Sequence, residues 1–114
     1  LYQDLVDLGR MKESQTLIGT VEELGVFVVG PNGTYNARTP DQTEASKAVG
    51  GSPAGAGNIA LAGYIYGFLQ NPTNTVPGRE AAAWGAAACL GPGSLGGTKE
   101  QIDQMGSKVE VKRS

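Results

Sequence analysis

GAGNIALAGYIYGFLQNP, residues 55–72, sits inside an uncharged run of 31 positions from Ala48 to Gly78 and holds the densest bulky apolar cluster in the chain. Its reading decides the fold. A helix from about Asn58, a good N-cap type, to Leu69 puts Ile59, Tyr66 and Leu69 near one side and Leu61, Ile65 and Phe68 near another. Apolar almost all the way round, such a helix is expected to be buried in protein or in lipid. Its apolar length of about a dozen residues falls short of the roughly 20 that span a bilayer unless the Gly- and Ala-rich flanks are drawn in.

Small residues punctuate the same stretch. Gly57, Ala60, Gly63 and Gly67 recur at spacings of three, three and four, and Gly63 to Gly67 is a G-x-x-x-G. On a helix they form a flat stripe that lets a second backbone approach. After the breaker NPTNTVPG (71–78), the segment REAAAWGAAACL (79–90) reads as another helix, opened by Pro77-Gly78 and closed by Gly91-Pro92-Gly93. It carries a second stripe of Ala81, Gly85 and Cys89. The two helices are expected to pack on each other or to dock onto a larger partner. The docking residues are then Gly57, Ala60, Gly63, Gly67 and Gly85, with Tyr64, Tyr66, Phe68 and Trp84 as anchors.

Outward from the middle, Leu1, Leu5 and Leu8 lie at i, i+4 and i+7 and mark a short amphipathic helix that loosens near Gly9. SQTLIGTVEELG (14–25) reads as a second helical piece, with Leu17, Val21 and Leu24 on one face, Thr20 and Glu23 at capping-box spacing, and Gly25 as a left-handed stop. VFVV (26–29), the turn Gly30-Pro31-Asn32-Gly33 and TYNAR (34–38) read as a hairpin. Residues 36–57 have loop composition, with at most a helical turn near 41–49. In the tail, Thr98 and Gln101 have capping-box spacing for a short helix ending at Gly106, and Lys108 to Lys112 alternates like an edge strand suited to pair with VFVV.

These elements make a single small domain or subunit of α+β class, or mainly α with irregular loops. Short helices and a small hairpin surround a Gly/Ala-rich apolar helix. Its parts are residues 1–35, the linker 36–57, the apolar helices 58–90 and the tail 91–114.

Composition narrows function by exclusion. In 114 residues there are 18 Gly, one Cys and no His, and 11 acids face nine bases. The weak negative balance gives no basic field to gather nucleic-acid phosphates. Without His, with the lone Cys89 in the apolar setting AAACLG, and with Asp4/Asp7 and Glu22/Glu23 reading as solvated helix surfaces, no catalytic residue, metal site or cofactor is expected. Gly55-Ala56-Gly57-Asn58-Ile59-Ala60 matches a loosened dinucleotide fingerprint, G-x-G-x-x-A, but the preceding AVGGSPA is no buried strand and Glu80 ends none. Asn32-Gly33-Thr34 fits a glycosylation sequon that reads equally as turn chemistry.

Leu, Ile, Val and Phe number 24 in all, a thin supply for a richly packed independent globule. The expectation is therefore a non-catalytic accessory or structural subunit docked onto a larger protein assembly, with membrane contact, in a processed organellar complex of the photosynthetic or respiratory kind (thylakoid or mitochondrial inner membrane). The opening at Leu1 without an initiator Met, and without a signal-peptide pattern, suits that context. The alternative is a small soluble α+β protein- or ligand-binding module with the apolar helix as its core.

Overall fold

Ile18, Val26, Val28, Tyr35, Ala37 and Val111 project from one side of a sheet onto the alanine-rich middle of the chain, and this contact is the main core. The computed structural model describes residues 1–21, 25–31, 33–40, 47, 50–51, 55–73, 75–90 and 97–113. Among them the elements are α1 (Tyr2–Asp7), β1 (Leu17–Val21), β2 (Gly25–Gly30), β3 (Gly33–Arg38), α2 (Ala56–Gln70), α3 (Val76–Ala88), α4 (Lys99–Gly106) and β4 (Glu110–Arg113). The fold is mixed α+β. Its four strands lie in the order β1-β2-β3-β4, each antiparallel to its neighbour.

The hairpin expected at 26–38 is present as β2 and β3, with Val28 opposite Tyr35 and Gly30 opposite Gly33. Residues 36–38, expected as linker, belong to β3. The helix expected over 14–25 is corrected: Leu17–Val21 is strand β1, with Ile18 opposite Val28 and Thr20 opposite Val26. Leu17 and Val21 four apart suit a helix face, but Ile18, Thr20 and Val21 are β-branched, and pairing with β2 overrides the weak helical period. Gly25 is left-handed as expected (φ +86°), yet it starts β2 opposite Val21 instead of stopping a helix. Glu22, Glu23 and Leu24 lie outside the described residues, as do most of 41–49 and the 91–93 stop.

The tail carries the expected capping box. Thr98 accepts from the Gln101 N–H and the Gln101 side chain accepts from the Thr98 N–H. The strand that follows pairs with β3, Ala37 opposite Val111, and not with VFVV. VFVV has both of its neighbours already, β1 and β3, so the open position is beyond β3.

In the middle, α2 begins at Ala56 with Gly55 as N-cap, so Asn58 stands in the first turn and does not cap it. The expectation of an all-round buried helix is also corrected. Its buried residues are Ala60, Gly63 and Gly67, whereas Leu61, Ile65, Tyr66, Phe68 and Leu69 are 45–77% exposed. The small face packs inward because only it admits α3 so closely. No described helix is long and apolar enough to cross a membrane.

Nine of the residues of α3 are buried, all of them Pro, Gly or Ala. It is the central element, with β2 and β3 on one side, α2 on another and α4 on a third. Met105 of α4 closes its C-terminal half against Ala86 and Ala87.

Candidate functional site

The start of α2 joins a left-handed glycine to helix-opening N–H groups that no side-chain cap satisfies among the described residues. Gly55 has φ +78° and ψ −3°, a conformation that costs a residue with a Cβ about 1 kcal/mol or more. Among the described residues no side chain caps the helix, and its first turn carries no acid. The opening N–H groups of an α-helix lack intrahelical acceptors, and the dipole gives that end roughly half a positive charge. Gly57 and Asn58 are exposed. A 15-residue helix opening in this way is chemically suited to an anion.

Behind this turn the helix is held on two sides. A Cβ on Gly57 would lie 3.4 Å from Thr20 Oγ1 of β1, and one on Gly85 of α3 would lie 3.2 Å from Ala60 Cβ and 3.6 Å from the Ala56 carbonyl oxygen. The seam continues along α2. A Cβ on Gly63 would meet Trp84 Cγ at 2.6 Å and the Glu80 carbonyl at 2.8 Å, and one on Gly67 would meet Pro77 Cα at 2.7 Å.

The residues singled out in the sequence divide accordingly. Ala60, Gly63, Gly67, Gly85 and Trp84 meet at the α2–α3 seam. Tyr66 lies at its edge, its ring 5.4 Å from that of Trp84 and tilted by 33°, while the Trp84 indole N–H donates to Glu80 Oε2 at 3.1 Å. Tyr64 is half-buried beside the sheet, Phe68 is 46% exposed, and Gly57 stands at the helix start.

At the far end of the seam, Thr16, Val28, Gly30, Tyr35, Tyr64, Phe68 and Pro77 line a narrow cleft. Burial pushes the Tyr35 hydroxyl above the usual phenol range, against the opposing effect of the Gly78 N–H that it accepts at 2.9 Å. Burial likewise raises Tyr64, opposed by a hydrogen bond with the Thr16 side chain. Sequence reasoning missed the Tyr35–Gly78 bond, and no local signal links two residues 43 positions apart.

Asp4 and Asp7 sit on exposed α1, with Asp7 Oδ1 accepting from Gln3 at 2.8 Å. Among the described residues no group of three His, Cys, Asp or Glu side chains is arranged to hold a metal ion. Cys89 is 2% exposed at the C-terminal end of α3.

No family model and no curated protein matches the sequence. Solved structures do match in fold. A Staphylococcus aureus protein provisionally assigned as a phosphofructokinase superposes with a TM-score of 0.68 at 18% identity, over 86% of this chain. A Thermotoga maritima protein provisionally assigned as a 1-phosphofructokinase superposes with a TM-score of 0.67 at 21% identity, over all of it. This chain spans only 29% and 35% of the lengths of those two proteins.

Proposed function

We propose that the chain forms the phosphate-holding portion of a sugar-phosphate kinase-type fold, seating a phosphoryl group of the nucleotide or sugar phosphate at the start of α2. The observation that carries this reading is the left-handed Gly55 opening a helix with no side-chain cap among the described residues, in a chain whose fold matches two proteins provisionally assigned as phosphofructokinases. Phosphoryl transfer rests mainly on positioning and on neutralising charge at the moving group, which backbone donors at a helix start can supply. With no acid in that first turn, the element holds phosphate and supplies no carboxylate base there.

The test is an amide NMR titration with inorganic phosphate, ADP and fructose 1-phosphate. Shifts concentrated at Ala56 to Ile59, saturating with a phosphate ligand and abolished by Gly57→Val in a still folded chain, support the reading. Absence of saturable shifts there overturns it.

A second reading is a non-catalytic structural subunit seated on a larger assembly. It is favoured by the exposed bulky face of α2. The two are separated by the native particle: a kinase-type protein binds phosphate ligands, whereas a structural subunit co-purifies with its assembly and does not.

A further inference from the structure

Arg79, Glu80 and Ala83 of α3 and Ile102, Asp103 and Gly106 of α4 line a cavity of about 230 Å³ between the two helices. Pockets for drug-sized ligands run from roughly 300 to 1,000 Å³, so this one suits a smaller molecule.

Its floor is set by a close approach of the helices. A Cβ on Gly106 would stand 3.7 Å from Ala83 Cβ, and the absence of a side chain at Gly106 keeps the space above that contact open. Ile102, packed on both core clusters, adds an aliphatic surface beside it. The charged groups stand one helical turn from the same contact, since Arg79 and Glu80 precede Ala83 by four and three positions and Asp103 precedes Gly106 by three. Ala83 and Gly106 thus sit below one guanidinium and two carboxylates.

These charges are not spent on one another. Among the described residues no ion pair joins Arg79 to Glu80 or Asp103. Arg79 donates through Nε to Thr75 Oγ1 at 3.2 Å, which steadies the guanidinium and leaves both terminal amino groups for an acceptor. The Trp84 indole N–H holds Glu80 by Oε2, leaving the other carboxylate oxygen for a donor. A lone amine would leave the guanidinium unmatched, and a lone carboxylate would leave both acids unmatched. Only a molecule that carries an ammonium and a carboxylate close together answers all three.

We infer that this cavity is a binding site for a free α-amino acid with a small aliphatic side chain. Its carboxylate takes the Arg79 guanidinium, its ammonium lies between Glu80 and Asp103, and its side chain rests on Ala83 and Ile102. None of these residues belongs to the turn at Gly55 to Asn58, so the inference does not depend on phosphate binding there.

The probes are L-valine, isobutylamine, which lacks its carboxylate, and isovalerate, which lacks its ammonium. Amide NMR titration of the whole chain with L-valine should give saturable shifts at Arg79, Glu80, Asp103 and Gly106, and the other two should bind about tenfold more weakly or worse. Arg79→Gln and Asp103→Asn, both at exposed positions and checked for fold by circular dichroism, should each weaken L-valine by a similar factor. Absence of saturable shifts with L-valine overturns the proposal. So does either analogue matching L-valine, because one of the two charge contacts then contributes nothing, and so does undiminished binding in either folded variant. The comparison of the three probes needs no variant, and shifts confined to Ala56 to Ile59 would count against this site while leaving the phosphate reading intact.

Discussion

The hydroxyl of Tyr35 accepts the Gly78 N–H at 2.9 Å, tying the inner face of β3 to the first turn of α3 across 43 residues of sequence. The bond answers two requirements together. A buried phenol needs a partner, and a helix start has N–H groups without intrahelical acceptors. Gly78 also makes room, since a Cβ there would run into the Tyr35 ring.

Tyr35→Phe keeps the ring and removes the acceptor. The stranded N–H should cost about 1–3 kcal/mol, read as a lower midpoint in urea at unchanged slope. An unchanged midpoint would mean that the bond contributes nothing.

Alkaline pH should weaken the same region. The hydroxyl of Tyr35 ionises above its ordinary 10.0 in the folded chain because burial disfavours the phenolate. Stability from this group is therefore complete below pH 10.0 and is lost as pH rises toward the folded-state value, since the unfolded chain releases the proton first. Urea midpoints measured from pH 8 to 11 should fall above 10, and the fall should be shallower in Tyr35→Phe.

Gly63→Ala should destabilise even though alanine is the better helix former. The new methyl meets Trp84 and the Glu80 carbonyl at 2.6–2.8 Å, and overpacking of this kind costs about 1–3 kcal/mol. Gly57→Ala has only Thr20 Oγ1 at 3.4 Å and should be neutral or stabilising by up to about 1 kcal/mol. Thermal melts should show a lower midpoint for Gly63→Ala and an unchanged or higher one for Gly57→Ala.

Thr98→Ala breaks the capping box of α4 and should cost about 0.5–2 kcal/mol. Because Met105 of that helix packs on Ala86 and Ala87, the loss should appear in the global melt and not as local fraying alone.

Asn58→Asp separates helix electrostatics from ligand electrostatics. A carboxylate in the first turn of α2 should stabilise the helix by about 0.3–1 kcal/mol and, by repelling an anion, weaken phosphate binding at the same turn. A tighter phosphate complex would contradict the proposed role of these donors.

Much of this was legible in the sequence, and the failures have physical causes. The hairpin at 26–38 and the cap at Thr98 were readable because turn and cap chemistry are local. Strand β1 was not, since Leu17, Val21 and Leu24 also satisfy a helical period and only pairing with β2 decides the matter. The two helices of the middle were located, with Gly63, Gly67 and Gly85 marked as close-approach positions. Which face turned inward was not legible: hydrophobicity points Leu61, Ile65 and Phe68 to the core, but backbone approach to α3 selects the small face. The anion-suited turn was visible as Gly55-Ala56-Gly57-Asn58 and set aside for want of a preceding strand. The left-handed Gly55 depends on backbone geometry that composition does not report.

The α2–α3 seam is built largely from residues whose side chains have nothing to rotate. Ala60, Gly63, Gly67, Ala81 and Gly85 surrender no rotamer freedom when packed, so these positions add no side-chain ordering penalty to the joint. The ordering cost of this joint therefore falls on Trp84 and Tyr66, whose rings meet at its edge.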